Sequence, residues 1–271
     1  MSNPFLPPDT DGATPSADAL AHHAPGVLPG VQTLLSESWE DLKAHPGPSI
    51  LGFAGGMGLQ TMGVMVWYVL FFLAVMVMAG LSVAIGAAAG LGEDATGTLA
   101  SLLTLAAMVV LYPLLFLAIA PAMVLMLRGG LFTARRTPPT AGSFFEDIVG
   151  LCGRTALLYL LMVVAIVPAT FLLYVPGIYL AIRWSFALHF LIDAPLGVVD
   201  ALRASWRATE GKVLDLFLKG MALSLLAMVV IVFTCYLGMF VALPMQMVVH
   251  ARMYMHLTGR YTADGAEASM A

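Results

Sequence analysis

The sequence predicts an all-α fold: a polytopic helical membrane protein of about six transmembrane helices, paired as three hairpins, each preceded by an amphipathic surface helix. Three observations carry this. Hydrophobic side chains make up 60% of the 271 residues and charged ones only 10%, against roughly 25% charged in soluble domains. Charge-free gaps run from Lys43 to Glu93, Asp94 to Arg128, Arg154 to Arg183 and Lys219 to Arg252. The ends of these runs alternate between basic and base-free.

Residues 1–30 come first. They hold Pro4, Pro7, Pro8, Pro15, Pro25 and Pro29 among Gly, Ala and Ser, too little apolar surface to offset the entropy of ordering a chain. A disordered tail is expected, with Asn3-Pro4-Phe5-Leu6-Pro7-Pro8 as an extended peptide through which a protein partner could dock. No Lys or Arg opens the chain, and Asp9, Asp11 and Asp18 stand there instead, so the expectation is a first span that serves as its own insertion signal.

A crossing needs about 20 apolar residues. The first uncharged stretch, Ile50 to Ala89, exceeds one crossing, so a Gly-rich lead-in through Gly52, Gly55, Gly56 and Gly58 and a bend near Gly58 to Gly63 are expected. The second span is read at 98–127, entered from Gly92-Glu93-Asp94 and left at Arg128. Spans three and four, 154–174 and 177–193, are expected to break at Val175-Pro176-Gly177, where Pro cannot continue a helix and Gly relaxes the turn. Spans five and six, 213–236 and 239–258, turn near Gly238. Residues 259–271 read as a second disordered tail.

Turns at 90–97, 174–177 and 236–239 carry no Lys or Arg, whereas 128–154, 194–219 and 252–260 carry nearly all of them. By the positive-inside rule both termini are expected in the cytoplasm and the protein in a bacterial inner membrane. Cys152 and Cys235 then sit near opposite faces, too far apart to pair.

Val31-x3-Leu35-x2-Ser38-Trp39 and Val198-x3-Leu202-x2-Ser205-Trp206 are one pattern, with apolar residues at i, i+4 and i+8 on one helix face. Polar faces oppose them: Gln32, Ser36, Glu40 and Lys43 in the first, Asp200, Arg203 and Arg207 in the second. Both read as helices lying on the membrane surface. A third is expected from Ser143-Phe144-Phe145-Glu146, where Ser143 and Glu146 have capping-box spacing and Ile148 and Val149 continue the apolar face. Trp39, Phe144 and Trp206 are the expected surface anchors. Pro113-x2-Phe116-Leu117-Ala118-Ile119 is echoed by Pro176-x2-Tyr179-Leu180-Ala181-Ile182 and by Gly238-Met239-Phe240-Val241-Ala242-Leu243. A triplicated unit follows, at about 31–128, 143–193 and 197–258.

Trp39 through Pro48, Val175-Pro176-Gly177-Ile178-Tyr179 running through Arg183 to Asp193, and Ala201-Leu202-x2-Ser205-Trp206-x3-Glu210-Gly211 resemble a group of bacterial polytopic proteins of unknown function. That group is related to the membrane domain of glycerophosphodiester phosphodiesterases. The resemblance covers most of residues 31–258 and implies a fold; it implies no biochemistry. No phosphodiesterase catalytic domain is expected within these 271 residues, and the Pro-rich tail and long first hairpin depart from the pattern.

Candidate chemistry is sparse. Arg183 lies about 10 Å of helix beyond Pro176, where a cation costs roughly 3 kcal/mol or more unless it meets a partner or water. It is a candidate polar or lipid-headgroup contact; the alternative is a structural arginine that snorkels or bonds backbone carbonyls. His189 and Asp193, four apart on one expected helix, are weaker candidates for a polar contact. His250 and His256, six apart, share no helix face for a metal. Hydrolase signatures such as His-Glu-x2-His, Gly-x-Ser-x-Gly and the phosphate loop are missing. No catalytic residue, cofactor or metal is expected, and a net charge of -4 argues against nucleic acid. The expected function is a non-enzymatic inner-membrane scaffold or lipid-interacting module, its partners being membrane lipids and, compatibly, further copies of itself. The alternative is a small-solute or lipid transporter with Arg183 at a polar contact between hairpins.

Overall fold

The computed structural model describes residues 28–137, 139, 141–194 and 196–259. Both expected tails, with the Pro-rich partner peptide, lie outside all but the edges of that range. Ten helices and no strand occur among the described residues. α1 spans Val31–Ala44, α2 Pro46–Ala89, α3 Glu93–Ala134 and α4 Ala141–Phe145; α5 is Ile148–Leu172, α6 Tyr174–Arg183 and α7 Ala187–Asp193; α8 is Val198–Ala208, α9 Val213–Phe233 and α10 Met239–Leu257.

Five segments are long and apolar enough to cross a membrane: α2, α3, α5, α6 with α7, and α9. Their outward surfaces agree, since Phe171 is 88% exposed and Leu172 and Phe233 are each 83% exposed. Such surface is stable only against hydrocarbon. The chain is a multi-pass integral membrane protein. The sixth expected span forms as α10, but Gln246, His250, Arg252 and His256 make it less apolar than the five. Val248, Val249 and Ala251 to Met255 are buried, so Arg252 faces protein, while Gln246, His250 and His256 are partly buried.

The first hairpin departs furthest from expectation. α2 runs 44 residues without a break and α3 runs 42, about 66 and 63 Å at 1.5 Å per residue. No helix boundary falls at Gly58 to Gly63. Glycines there do a different job: a Cβ at Gly52 would lie 2.6 Å from the Leu125 carbonyl oxygen, and one at Gly63 2.6 Å from that of Ala118. They let α2 and α3 approach backbone to backbone. Trp67 bridges the pair by donating Nε1–H to the Leu111 carbonyl at 2.9 Å. Gly90, at φ 65°, closes α2 in the left-handed conformation, and Leu91 N–H returns to Gly86 at 2.9 Å, a common helix stop.

Elsewhere boundaries shift. Arg128 lies inside α3, not at its exit. The break between spans three and four falls at Leu173, which is extended; Pro176 sits in the first turn of α6, where its missing N–H costs nothing. Span four is itself interrupted at Trp184–Phe186. The third short helix stops at Phe145 because Asp147 adopts φ 47°, so Ile148 and Val149 open α5. The Ser143 side chain of the expected capping box lies outside the described residues.

The core gathers at the basic end of the bundle. Leu34, Leu131, Leu158, Phe190, Val248 and Tyr254 are wholly or almost wholly enclosed there, and α1 and α8 pack over them.

Candidate functional site

Three arginines are buried among the described residues: Arg128 at 5% exposure, Arg183 at 7% and Arg252 at 2%. Each lies toward the basic end of the second member of a hairpin, and each reaches a short helix. Arg128 Nη1 donates to the Phe144 carbonyl of α4 at 2.9 Å. Arg183 Nη1 donates to the Trp206 carbonyl of α8 at 2.9 Å and Nε to Tyr179 Oη at 3.0 Å. Its guanidinium also lies 4.4 Å from the Trp206 ring centroid, an arrangement that attracts a cation to the ring face. Arg252 pairs with Glu37 and Asp41 of α1. A buried guanidinium is tolerated only with such partners.

Asp41 and Asp193, both fully buried, organise the rest. Arg136 Nε donates to Asp41 Oδ1 at 2.8 Å, while Arg135 Nη2 donates to Asp193 Oδ1 at 2.5 Å. Adjacent arginines can serve different carboxylates because Arg136 has φ 55°, which turns its side chain away from the course of α3. Asp193 Oδ2 also accepts from Tyr254 Oη at 2.8 Å. The Tyr254 ring stacks on His189 at 5.4 Å and meets the edge of Phe190 at 5.0 Å. His189 Nδ1 is buried without a hydrogen-bond partner among the described residues.

Of the candidates read from sequence, His189 and Asp193 are brought together through Tyr254. Arg183 is not part of that group. It clamps α6 to α8, and its own carbonyl accepts from Ser205 Oγ at 2.8 Å and Thr209 Oγ1 at 3.3 Å. Among the expected anchors, Trp39 is 43% exposed and carries Lys43 over its ring. Trp206 is only partly exposed, held by Arg183. Phe144 is buried against Phe132, and the neighbouring Phe145 takes the outward position.

Sequence reasoning missed Glu37, Asp41, Arg135, Arg136, Arg252 and Tyr254. One signal was available. The fully buried stripe of α1 includes Leu34, Ser38 and Asp41, matched in α8 by Ala201, Ser205 and Ala208, with Val31, Leu35, Val198 and Leu202 partly buried beside it. Asp41 is therefore a carboxylate on the inward face, which demands a cation opposite. Among the described residues, no three His, Cys, Asp or Glu side chains converge as metal ligands. Cys152 and Cys235 are free thiols.

Chemically, this layer largely serves itself: each buried charge meets an opposite charge, a carbonyl or a ring, and Arg128 Nε is left without a hydrogen-bond partner among the described residues. It fastens the short helices to the spans at one level of the bundle.

Residues 151–256, from α5 into α10, match the family model for the membrane domain of glycerophosphoryl diester phosphodiesterase. No curated protein and no solved structure matches the chain.

Proposed function

We propose that this chain is a non-enzymatic inner-membrane module that holds lipids or proteins at the cytoplasmic face, where its arginine-pinned helices lie. The observation that carries the reading is the layer itself. Buried Arg128, Arg183 and Arg252 each bind a short helix, which fastens these helices to the spans; in this reading they lie at the level where headgroups meet water. The family match supports it as well, because residues 151–256 resemble the membrane portion of a phosphodiesterase family.

The same contacts favour a triplicated unit closed into a ring. α4 packs on α3 and α8 on α7, while α1, the first helix, packs on α10, the last. Each short helix thus docks on the second half of the preceding hairpin, and the chain ends complete the cycle. With the basic end in the cytoplasm, Cys235 in the turn after α9 faces outward and Cys152 near the start of α5 faces inward.

Native mass spectrometry of the full chain from bacterial membranes tests the role. Retained phospholipid or a stoichiometric protein partner, with weaker retention in Trp39→Ala, is the expected result. No retained lipid or partner, or hydrolysis of glycerophosphodiesters by the pure chain, would overturn the proposal. An impermeant thiol reagent on intact cells tests orientation: Cys235 should react and Cys152 should not.

A further inference from the structure

The geometry points to a phospholipid site in the groove between α2, α3 and α4, taking one lipid whose headgroup carries a primary ammonium beside its phosphate; this deepens the lipid-binding reading and rests on it. The groove measures about 530 Å³ and is lined by Ile50, Leu51, Gly55 and Leu59 of α2, Leu125 of α3 and Phe145 of α4. That volume lies within the roughly 300–1,000 Å³ of small-molecule sites. Two of its three walls are membrane-crossing helices, so what enters it from the side is hydrocarbon.

Glycine placement shows that the space is not required by helix packing. Cβ atoms at Gly52 and Gly56 would strike the α3 backbone, at 2.6 Å from Leu125 and 2.9 Å from Ala122 oxygens. At Gly55 a Cβ would meet only Leu125 Cδ1 at 3.9 Å, and at Gly47 nothing within 4 Å. Glycine in a helix interior costs about 0.5–1 kcal/mol relative to Ala. At 55 no neighbouring atom explains it, and the result is a recess open to an acyl chain.

The charged groups lie beside the groove, outside its apolar lining. Arg128 lies one turn beyond Leu125, and its Nη1 bonds the carbonyl of Phe144, another wall residue. Its Nε is buried with no hydrogen-bond partner among the described residues. Arg128 itself does not line the groove, so a phosphate oxygen supplies the missing acceptor once the guanidinium swings out past Phe144, and a charge-assisted bond is the stronger kind. Glu146 and Asp147 follow Phe145 directly, are exposed and act electrostatically on Arg128. A headgroup with only negative charge would face both carboxylates. One with an ammonium satisfies them and leaves its phosphate to the arginine.

The test is native mass spectrometry of the purified full chain exchanged into equal mixtures of phosphatidylethanolamine, phosphatidylglycerol and phosphatidylcholine. Wild type should retain one phosphatidylethanolamine in preference to the others. Gly55→Leu, which fills the recess with a better helix former, should lower that retention at least fivefold, and Gly80→Leu, in open space far along α2, should not. Glu146→Gln with Asp147→Asn should abolish the preference among headgroups without abolishing retention. If Gly55→Leu is not monodisperse, Gly47→Leu fills the groove from its other end and is read the same way. Equal retention by wild type and the filled variant overturns the site while leaving the lipid-binding reading intact, and a preference for phosphatidylglycerol overturns the headgroup assignment. A wild-type chain that holds no lipid at all removes both.

Discussion

Replacing Asp41 by Ala removes the carboxylate that holds two arginines from different parts of the chain. Asp41 has no exposure and Arg252 has 2%; Arg136, its other partner, has a side chain 56% exposed. The two losses differ in kind. Arg136 can turn into water, so its share falls in the ~0–1 kcal/mol range of exposed pairs. Arg252 cannot, and an uncompensated buried charge costs about 3–5 kcal/mol. Glu37 still pairs with Arg252 and is itself 28% exposed, which softens the loss toward the lower bound. The expected destabilisation is ~3 kcal/mol, about a hundredfold in the folded-to-unfolded ratio at 1.4 kcal/mol per decade. Asp41→Leu combined with Arg252→Met should recover most of it, since apolar replacement of a buried pair is often neutral. Denaturant unfolding of the chain in micelles, followed by tryptophan fluorescence, measures all the variants. A loss below ~1 kcal/mol for Asp41→Ala, or simple additivity in the double variant, would refute the account of α1 as a charge-fastened helix.

The remaining predictions use the same unfolding assay. Gly52→Ala forces a Cβ to 2.6 Å from the Leu125 carbonyl and should cost ~1–3 kcal/mol, whereas Gly58→Ala, with nothing within 4 Å, should stabilise by ~0.5–1 kcal/mol; the opposite order would sink the close-packing argument. Arg183→Lys keeps a charge but loses the planar fork that serves Tyr179 and Trp206 together, so a loss of ~1–2 kcal/mol and a shift in Trp206 emission are expected. An unchanged spectrum would count against the ring contact. Tyr254→Phe deletes the donor to Asp193 and should cost ~1.5–3 kcal/mol, the range for a bond to a charged group; a silent substitution would mean that Arg135 alone satisfies that carboxylate.

Composition and the spacing of charges were enough to establish a multi-pass helical protein, because a bilayer imposes its thickness on any apolar run and leaves cations at the ends. They also located the short helices near Trp39, Phe144 and Trp206, since amphipathic spacing is a local property. Tertiary structure decided what faced what. Val31, Leu35 and Trp39 mark the apolar face of α1, and Val31 and Leu35 do pack against the core, but the fully buried positions include Ser38 and Asp41, because a carboxylate can turn inward once Arg252 arrives from the far end of the chain. The glycines of α2 read as a bend, yet the α3 carbonyls they admit lie more than fifty residues away in sequence. Arg183 could have been a ligand contact or a structural clamp on spacing alone; its bond to the carbonyl of Trp206, 23 positions on, is a partner that spacing does not reveal. Local periodicity records which surfaces avoid water, whereas the pairing of buried charges depends on segments that meet only after the bundle closes.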